Sequence, residues 1–311
     1  MDHSIELVDL RKAFGPKRAV DGVSLSIPRG ALYGVIGPNG AGKSTTLRMI
    51  LSILFPDSGT VRVLGCDSAL KAKDRIGYLP EERGVYRKMK VAEFLQYMGV
   101  LKGVERAEAR RRVDRWLERV GLADVGRKKC EELSRGMQQK VQFITAVLHE
   151  PELLILDEPF SGLDPVATRL LRELIAEQHQ RGTTILFSTH VMAQAEELCE
   201  HIVMIHNGRK VLDDPLAAIR ARHAPHALRL EPIDADLDVA ATLRDLAGHR
   251  GIEREAGSWL VRFAEGVDAG ALAQAVAARV APARLELVRP NLEDIFIGVV
   301  GDAHEAREEA A

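Results

Sequence analysis

Ile5 to Leu10 and Ala19 to Ile27 alternate apolar and polar side chains, which predicts two antiparallel strands with one buried face each. Ala31 to Ile36 and Leu153 to Leu156 are nearly unbroken apolar runs, the pattern of strands buried on both faces of a parallel sheet, and Thr183 to Ser188 reads as one more buried strand. Short strands are expected at Ser58 to Val63 and at Arg75 to Pro80, and helices at Thr45 to Leu54, Val141 to His149 and Val166 to Gln180. Between Val91 and Val120 the period changes. Val91, Phe94, Leu95 and Met98, then Val113, Trp116, Leu117 and Val120, recur at helical spacing and predict a helical insertion inside an α/β domain. The charge run Arg106 to Arg112 reads as the solvated face of that insertion.

The chemistry is concentrated where these elements end. Gly37-Pro38-Asn39-Gly40-Ala41-Gly42-Lys43-Ser44 fits G-x-x-x-x-G-K-[ST], and it stands between a predicted strand and a predicted helix, the context that the phosphate-cradling loop requires. Glycines at 37, 40 and 42 let successive amide N–H groups converge on phosphate oxygens at a helix N-terminus. Lys43 is placed to reach the β and γ phosphates, Ser44 to ligate Mg²⁺, and Thr45 follows at the start of the helix. The strand at Leu153 ends in Asp157-Glu158-Pro159. Two carboxylates there need a partner, and Mg²⁺ held by Asp157, with Glu158 free to act as general base, satisfies both. Three features stay open on this reading. Phe14 is either a purine-stacking ring or an ordinary core residue, Ser134-Arg135-Gly136 either an anion site or a plain helix cap, and His190 either a phosphate contact or a bystander.

Composition narrows the classes. Forty-three basic against 45 acidic residues leave a net charge of −2, which argues against a chain whose affinity comes from coating nucleic-acid phosphates. Cys66, Cys130 and Cys199 lie far apart without a C-x-x-C, so neither a zinc site nor a disulfide framework is suggested and a reduced cytosolic compartment fits. No apolar run of membrane-spanning length and no signal-peptide pattern is expected.

The order of motifs then resembles one family. The loop at Gly37 to Ser44, Leu133-Ser134-Arg135-Gly136-Met137-Gln138 upstream of Leu156-Asp157-Glu158-Pro159, then Ser161-Gly162-Leu163-Asp164 and His190, are similar to the ATP-binding subunits of ABC transporters over residues 4–220. The resemblance implies a P-loop NTPase fold of ABC type, with a mixed sheet core, an antiparallel β subdomain and a helical subdomain at about 88–150. It implies a head-to-tail homodimer with two ATP molecules between the phosphate loop of one copy and the signature segment of the other. Phe14 then becomes the adenine-stacking ring with Val20 beside it. Ser134, Gly136 and Gln138 become contacts to the γ phosphate across the interface, where Asp164 also lies, and His190 becomes the γ-phosphate switch beside Glu158 and Lys43. Arg135 and Met137 replace the second Gly and the Gln of the commonest signature. The family's loop glutamine falls on Glu81, a carboxylate able to ligate Mg²⁺ but unable to donate a hydrogen bond when ionised. Glu82, Arg83, Gly84 and Tyr86 of the same loop are expected near a groove that receives a separate transmembrane permease subunit. The chain is thus expected in the cytoplasm, peripheral on the inner face of the cell membrane, hydrolysing ATP to power a transporter. An ABC-type ATPase acting mechanically on ribosomes or nucleic acid is the alternative.

The remaining sequence reads as a second domain. Segments at Ala227 to Glu231, Val239 to Ala247, Ile252 to Ala256, Trp259 to Phe263, Ala269 to Ala278 and Arg284 to Val288 follow a βαββαβ order, expected of a small α+β ferredoxin-like domain over 223–300 after an ATP-binding domain over 1–222. Asn291 caps a terminal helix carrying Leu292, Ile295 and Phe296, and residues 301–311 are expected to be disordered. This part resembles the extra C-terminal domain of some bacterial exporter-type ATPase subunits, and it carries no catalytic constellation.

Overall fold

The computed structural model describes residues 2–308 except Arg83, Ala256 and Glu265, with side chains described to Val300; the readings placed on Arg83 and Ala256 lie outside the described residues. The chain divides into two compact units between Leu216 and Ala217. The sequence placed this boundary six residues later.

In the first unit the chain runs β1 (His3–Phe14), β2 (Lys17–Pro28), β3 (Leu32–Ile36), α1 (Lys43–Ile50), β4 (Ser58–Val63) and β5 (Ile76–Leu79). The helical insertion follows as α2 (Val91–Leu101), α3 (Arg106–Arg119) and α4 (Arg135–Val147). The chain then returns to the sheet with β6 (Leu153–Asp157), α5 (Pro165–Gln180), β7 (Thr184–Thr189), α6 (Met192–Leu198), β8 (His201–His206) and β9 (Arg209–Pro215). The central sheet has the order β5-β6-β7-β3-β8-β9, parallel up to β8 and closed by the antiparallel β9. Every residue of β3, β6 and β7 is buried, in β7 including Thr184, Ser188 and Thr189. A second, antiparallel sheet, β2-β1-β4, shares one core with α1 and the central sheet. In β1 the alternation is interrupted by Asp9 at φ 45, and the register against β2 shifts between Leu7 and Leu10. Both apolar residues therefore reach the core although an odd number of positions separates them.

The helical layer sits on the edge of the central sheet. α4 packs so closely on β5 that a Cβ added to Gly77 would stand 2.0 Å from the carbonyl oxygen of Ala146. Trp116 of α3 meets Phe143 of α4 edge-on at 6.2 Å between ring centroids. Just beyond α4, His149 Nε2 lies 3.1 Å from the Ile76 carbonyl oxygen, and the Lys102 ammonium donates to that same oxygen at 2.8 Å. Burial first, and the Lys102 charge second, push the imidazole down from 6.5 to about 4. As the folded pKa lies below the unfolded one, the unfolded chain takes up this proton first, and stability is lost as the pH falls from 6.5 through about 4. The full cost is roughly 3 kcal/mol. Urea titrations across that window should show the loss in the parent chain and a shallower slope in His149→Gln; equal slopes would remove His149 from the account.

The second unit begins with α7 (Leu216–Arg222), whose first residue still belongs to unit 1, and continues β10 (Ala227–Pro232), α8 (Val239–Leu243), β11 (His249–Glu255), β12 (Ser258–Phe263), α9 (Ala269–Arg279), β13 (Pro282–Val288) and α10 (Leu292–Glu308). Its sheet has the order β11-β12-β10-β13 with every pairing antiparallel, the ferredoxin-like arrangement expected of the βαββαβ pattern. α8 and α9 close one face over Leu228, Leu230, Val261 and Phe263, and Asp238 and Asp268 cap the two helices. Asn291 and Asp294 cap α10 reciprocally, and this helix continues into the segment read as a disordered tail.

Candidate functional site

The phosphate loop folds as its glycines dictate. Gly37, Gly40 and Gly42 have φ of 152°, 78° and 110°, and side chains at 37 and 42 would strike backbone: a Cβ would stand 2.1 Å from the Ile205 oxygen and 2.3 Å from the Ala19 oxygen. The loop thus wraps tightly between β3 and α1. Lys43, buried at the first turn of α1, turns back to donate to the carbonyls of Gly37 at 2.8 Å and Pro38 at 3.1 Å. Burial pushes its ammonium below the ordinary range, while Glu158, Asp157 and Glu81 pull it back up. These carbonyls hold the charge within the loop.

Behind the loop lies the acidic pair. Asp157 ends β6 at 1% exposure and accepts from the hydroxyls of Ser188 at 2.5 Å and Ser44 at 3.2 Å. Glu158 follows with φ 49°, a left-handed conformation that costs a non-glycine residue roughly 1–2 kcal/mol. That turn aims its carboxylate back toward the loop. Oε1 is 2.8 Å from His190 Nδ1 and 3.9 Å from Lys43 Nζ, and Oε2 is 3.3 Å from the Thr189 hydroxyl. The same hydroxyl is 3.0 Å from Gln194 Oε1. β6 and β7 thus bring Asp157, Glu158 and His190 to one place.

An open cleft of about 430 Å³ runs from Phe14 over Asn39, Gly40, Gly42, Lys43, Ser44 and Thr45 to Glu81 and Glu158. Phe14 closes β1 at 52% exposure, so it is no core residue. Pro38 and Ala41 shape the loop from beneath, Ala41 buried and donating its N–H to the Pro38 oxygen. Val20 does not line the cleft. It is 1% exposed within the core, because Lys12 pairs with Val20 and Ala13 with Arg18, leaving Ala19 as the extra residue of a bulge. The bulge turns Ala19, with Lys17, to the cleft instead. Neither was singled out from the sequence, and a one-residue bulge leaves no periodic signal.

The signature residues do not line this cleft. Ser134 caps α4 and accepts from the Met137 N–H at 3.3 Å, and Asp164 caps α5 through the Ala167 N–H at 2.8 Å. Both are exposed. Gln138 turns its amide inward, donating to the carbonyls of Cys130 and Leu133 at 3.2 Å, and Gly136 approaches Leu163. Within one chain, the loop and the signature segment form separate surfaces.

Magnesium fits the donors present. Ser44 and Asp157 offer hard oxygens 3.2 Å apart beside the loop, and among the described residues no group of three His, Cys, Asp or Glu forms a cage. An ion that takes one or two protein oxygens and completes its shell with phosphate and water suits such a pair.

An ABC transporter family model matches residues 20–161, and a model of the C-terminal domain of DrrA1-3-like ATP-binding proteins matches residues 215–300. An uncharacterized ABC transporter ATP-binding protein of Bacillus subtilis, YhaQ, is 42% identical over 302 residues, 94% of this chain and 97% of that one. Nod factor export ATP-binding protein I of Paraburkholderia xenovorans is 37% identical, covering 96% of this chain and 97% of its own. A solved structure of an ATP-binding subunit of an ABC transporter is 35% identical, covers 70% of this chain and 92% of its own, and superposes with a TM-score of 0.66. Sequence, cleft and sheet order agree: the chain belongs to the ABC transporter family, as one of its ATP-binding subunits.

Proposed function

We propose that two copies of this chain bind MgATP head to tail, close over it, and hydrolyse it to drive a separate transmembrane subunit in export. The observation that carries the reading is the convergence of Lys43, Ser44 and Glu158 on one cleft, with Asp157 bonded to Ser44 and His190 to Glu158. Adenine stacks on Phe14, the loop amides and Lys43 grip the triphosphate, and Ser134 of the second copy covers the γ phosphate. Glu158 accepts a proton as water attacks the γ phosphorus, the bond to the bridging oxygen breaks, and ADP and phosphate leave. His190, bonded through Nδ1 to Glu158, orients that carboxylate and keeps its other nitrogen for the phosphate. Ser44 and Asp157, with Glu81 at the cleft rim, would hold magnesium, which would supply positive charge against the phosphates.

The export direction draws on the likeness to a Nod factor export protein and on the matching C-terminal domain. Tyr86, Tyr97, Val100 and Leu101 expose apolar surface beyond the Glu81 loop, and the Tyr86 ring lies 5.6 Å from Phe94 and 6.1 Å from Tyr97, which supports docking of the membrane subunit there. Among the described residues no helix is long and apolar enough to cross a membrane. Co-purification with detergent-solubilised membranes, and ATPase activity raised by the membrane subunit, are expected; co-sedimentation with ribosomes instead would overturn the reading. Phe14→Ala should weaken ATP binding by about 1–3 kcal/mol in a fluorescent-nucleotide titration, and an unchanged Kd would take Phe14 out of the site.

A further inference from the structure

We propose that a cavity of about 220 Å³ between α3 and the C-terminal end of α5 is a second site, for a small, multiply charged phosphate anion of the size of pyrophosphate. Arg112, Arg115, Trp116, Arg119, Glu150 and Arg181 line it, so four guanidinium groups face one carboxylate. None of these residues lines the nucleotide cleft.

The charges around the cavity do not cancel. Arg112 donates to Glu108 at 2.8 Å and to the Leu148 carbonyl at 2.9 Å, and lies 3.1 Å from Glu150. Arg115 reaches the same Glu108 oxygen only at 3.4 Å, and that carboxylate also holds Arg111. Arg119 pairs with Glu177 and covers the Trp116 face at 5.1 Å, while Arg181 makes no ion pair among the described residues. Three carboxylates thus serve five guanidinium groups. Burial first holds Arg119 below the ordinary guanidinium range, and the nearby Arg181 charge adds a repulsion that a bound anion relieves.

Chemistry and size select the ligand. Guanidinium forks match the oxygen pairs of a phosphate, and several converging forks favour more than one negative charge. The volume falls below the roughly 300–1,000 Å³ of pockets for drug-sized ligands, which points to an ion. Arg112, Arg115 and Arg119 come from the helical layer, whereas Glu150 and Arg181 flank the central sheet, so an anion held here ties the two together.

Trp116 supplies the readout, since the chain has two tryptophans. The full chain carrying Trp259→Phe is titrated with pyrophosphate at constant ionic strength, and calorimetry on the unsubstituted chain checks the midpoint. A saturable change in Trp116 emission is expected, retained in Lys43→Ala, with the midpoint raised about tenfold or more by Arg115→Gln with Arg181→Gln. A response that never saturates, or a midpoint unmoved by the arginine pair, overturns the proposal. A response lost in Lys43→Ala belongs to the nucleotide cleft and overturns it as well.

Discussion

Glu158→Gln is expected to lower kcat for ATP hydrolysis by about 10²–10⁴-fold, roughly 3–5 kcal/mol of barrier, while MgATP still binds. The amide is nearly isosteric, so it fits the same turn at φ 49° and still meets Thr189 and His190. What it cannot do is take a proton from water. The carboxylate is buried, and the hydroxyl and imidazole that face its two oxygens fix its orientation, so the proposed base is in place before substrate arrives. Single-turnover hydrolysis beside equilibrium binding separates the effects; unchanged turnover would refute the assignment of the base.

Lys43→Ala is expected to abolish nucleotide binding at working concentrations. The ammonium is buried at the start of α1, and its removal leaves the Gly37 and Pro38 carbonyls without their donor, directed at the place of the phosphates. Charge-assisted contacts to two phosphates at about 1.5–3 kcal/mol each amount to roughly 10²–10⁴-fold in affinity. Titration with a fluorescent ATP analogue reads this directly, and retained MgATP affinity contradicts the role given to Lys43.

Much of this was legible in the residues because it rests on local rules. The loop at Gly37 to Ser44 needs glycines where φ is positive, the acids at 157 and 158 end an apolar run, and the βαββαβ order recurs as a four-stranded antiparallel sheet. What escaped depends on contacts distant in sequence. Thr189 reaches Glu158, with Gln194 behind it, only because β7 pairs with β6, and His149 is depressed first by burial and then by Lys102, which shares its carbonyl. Ala19 displaces Val20 from the cleft through a single-residue bulge, which hydrophobic alternation cannot register. The run Arg106 to Arg112 reads as a solvated face, yet Arg112 turns inward, because the Leu148 carbonyl and Glu150 lie opposite.

The dimer contact between the phosphate loop and the signature segment is the central claim, and disulfide trapping tests it most directly. In the Glu158→Gln chain, Asn39→Cys and Ser134→Cys put one thiol on the exposed rim of the loop and one on the exposed cap of α4. With Cys66 changed to serine throughout, mild oxidation with MgATP should give a covalent dimer that is absent without nucleotide and absent from the parent chain, whose remaining Cys130 and Cys199 are buried. No cross-link at saturating MgATP, or the same yield without it, would contradict the account.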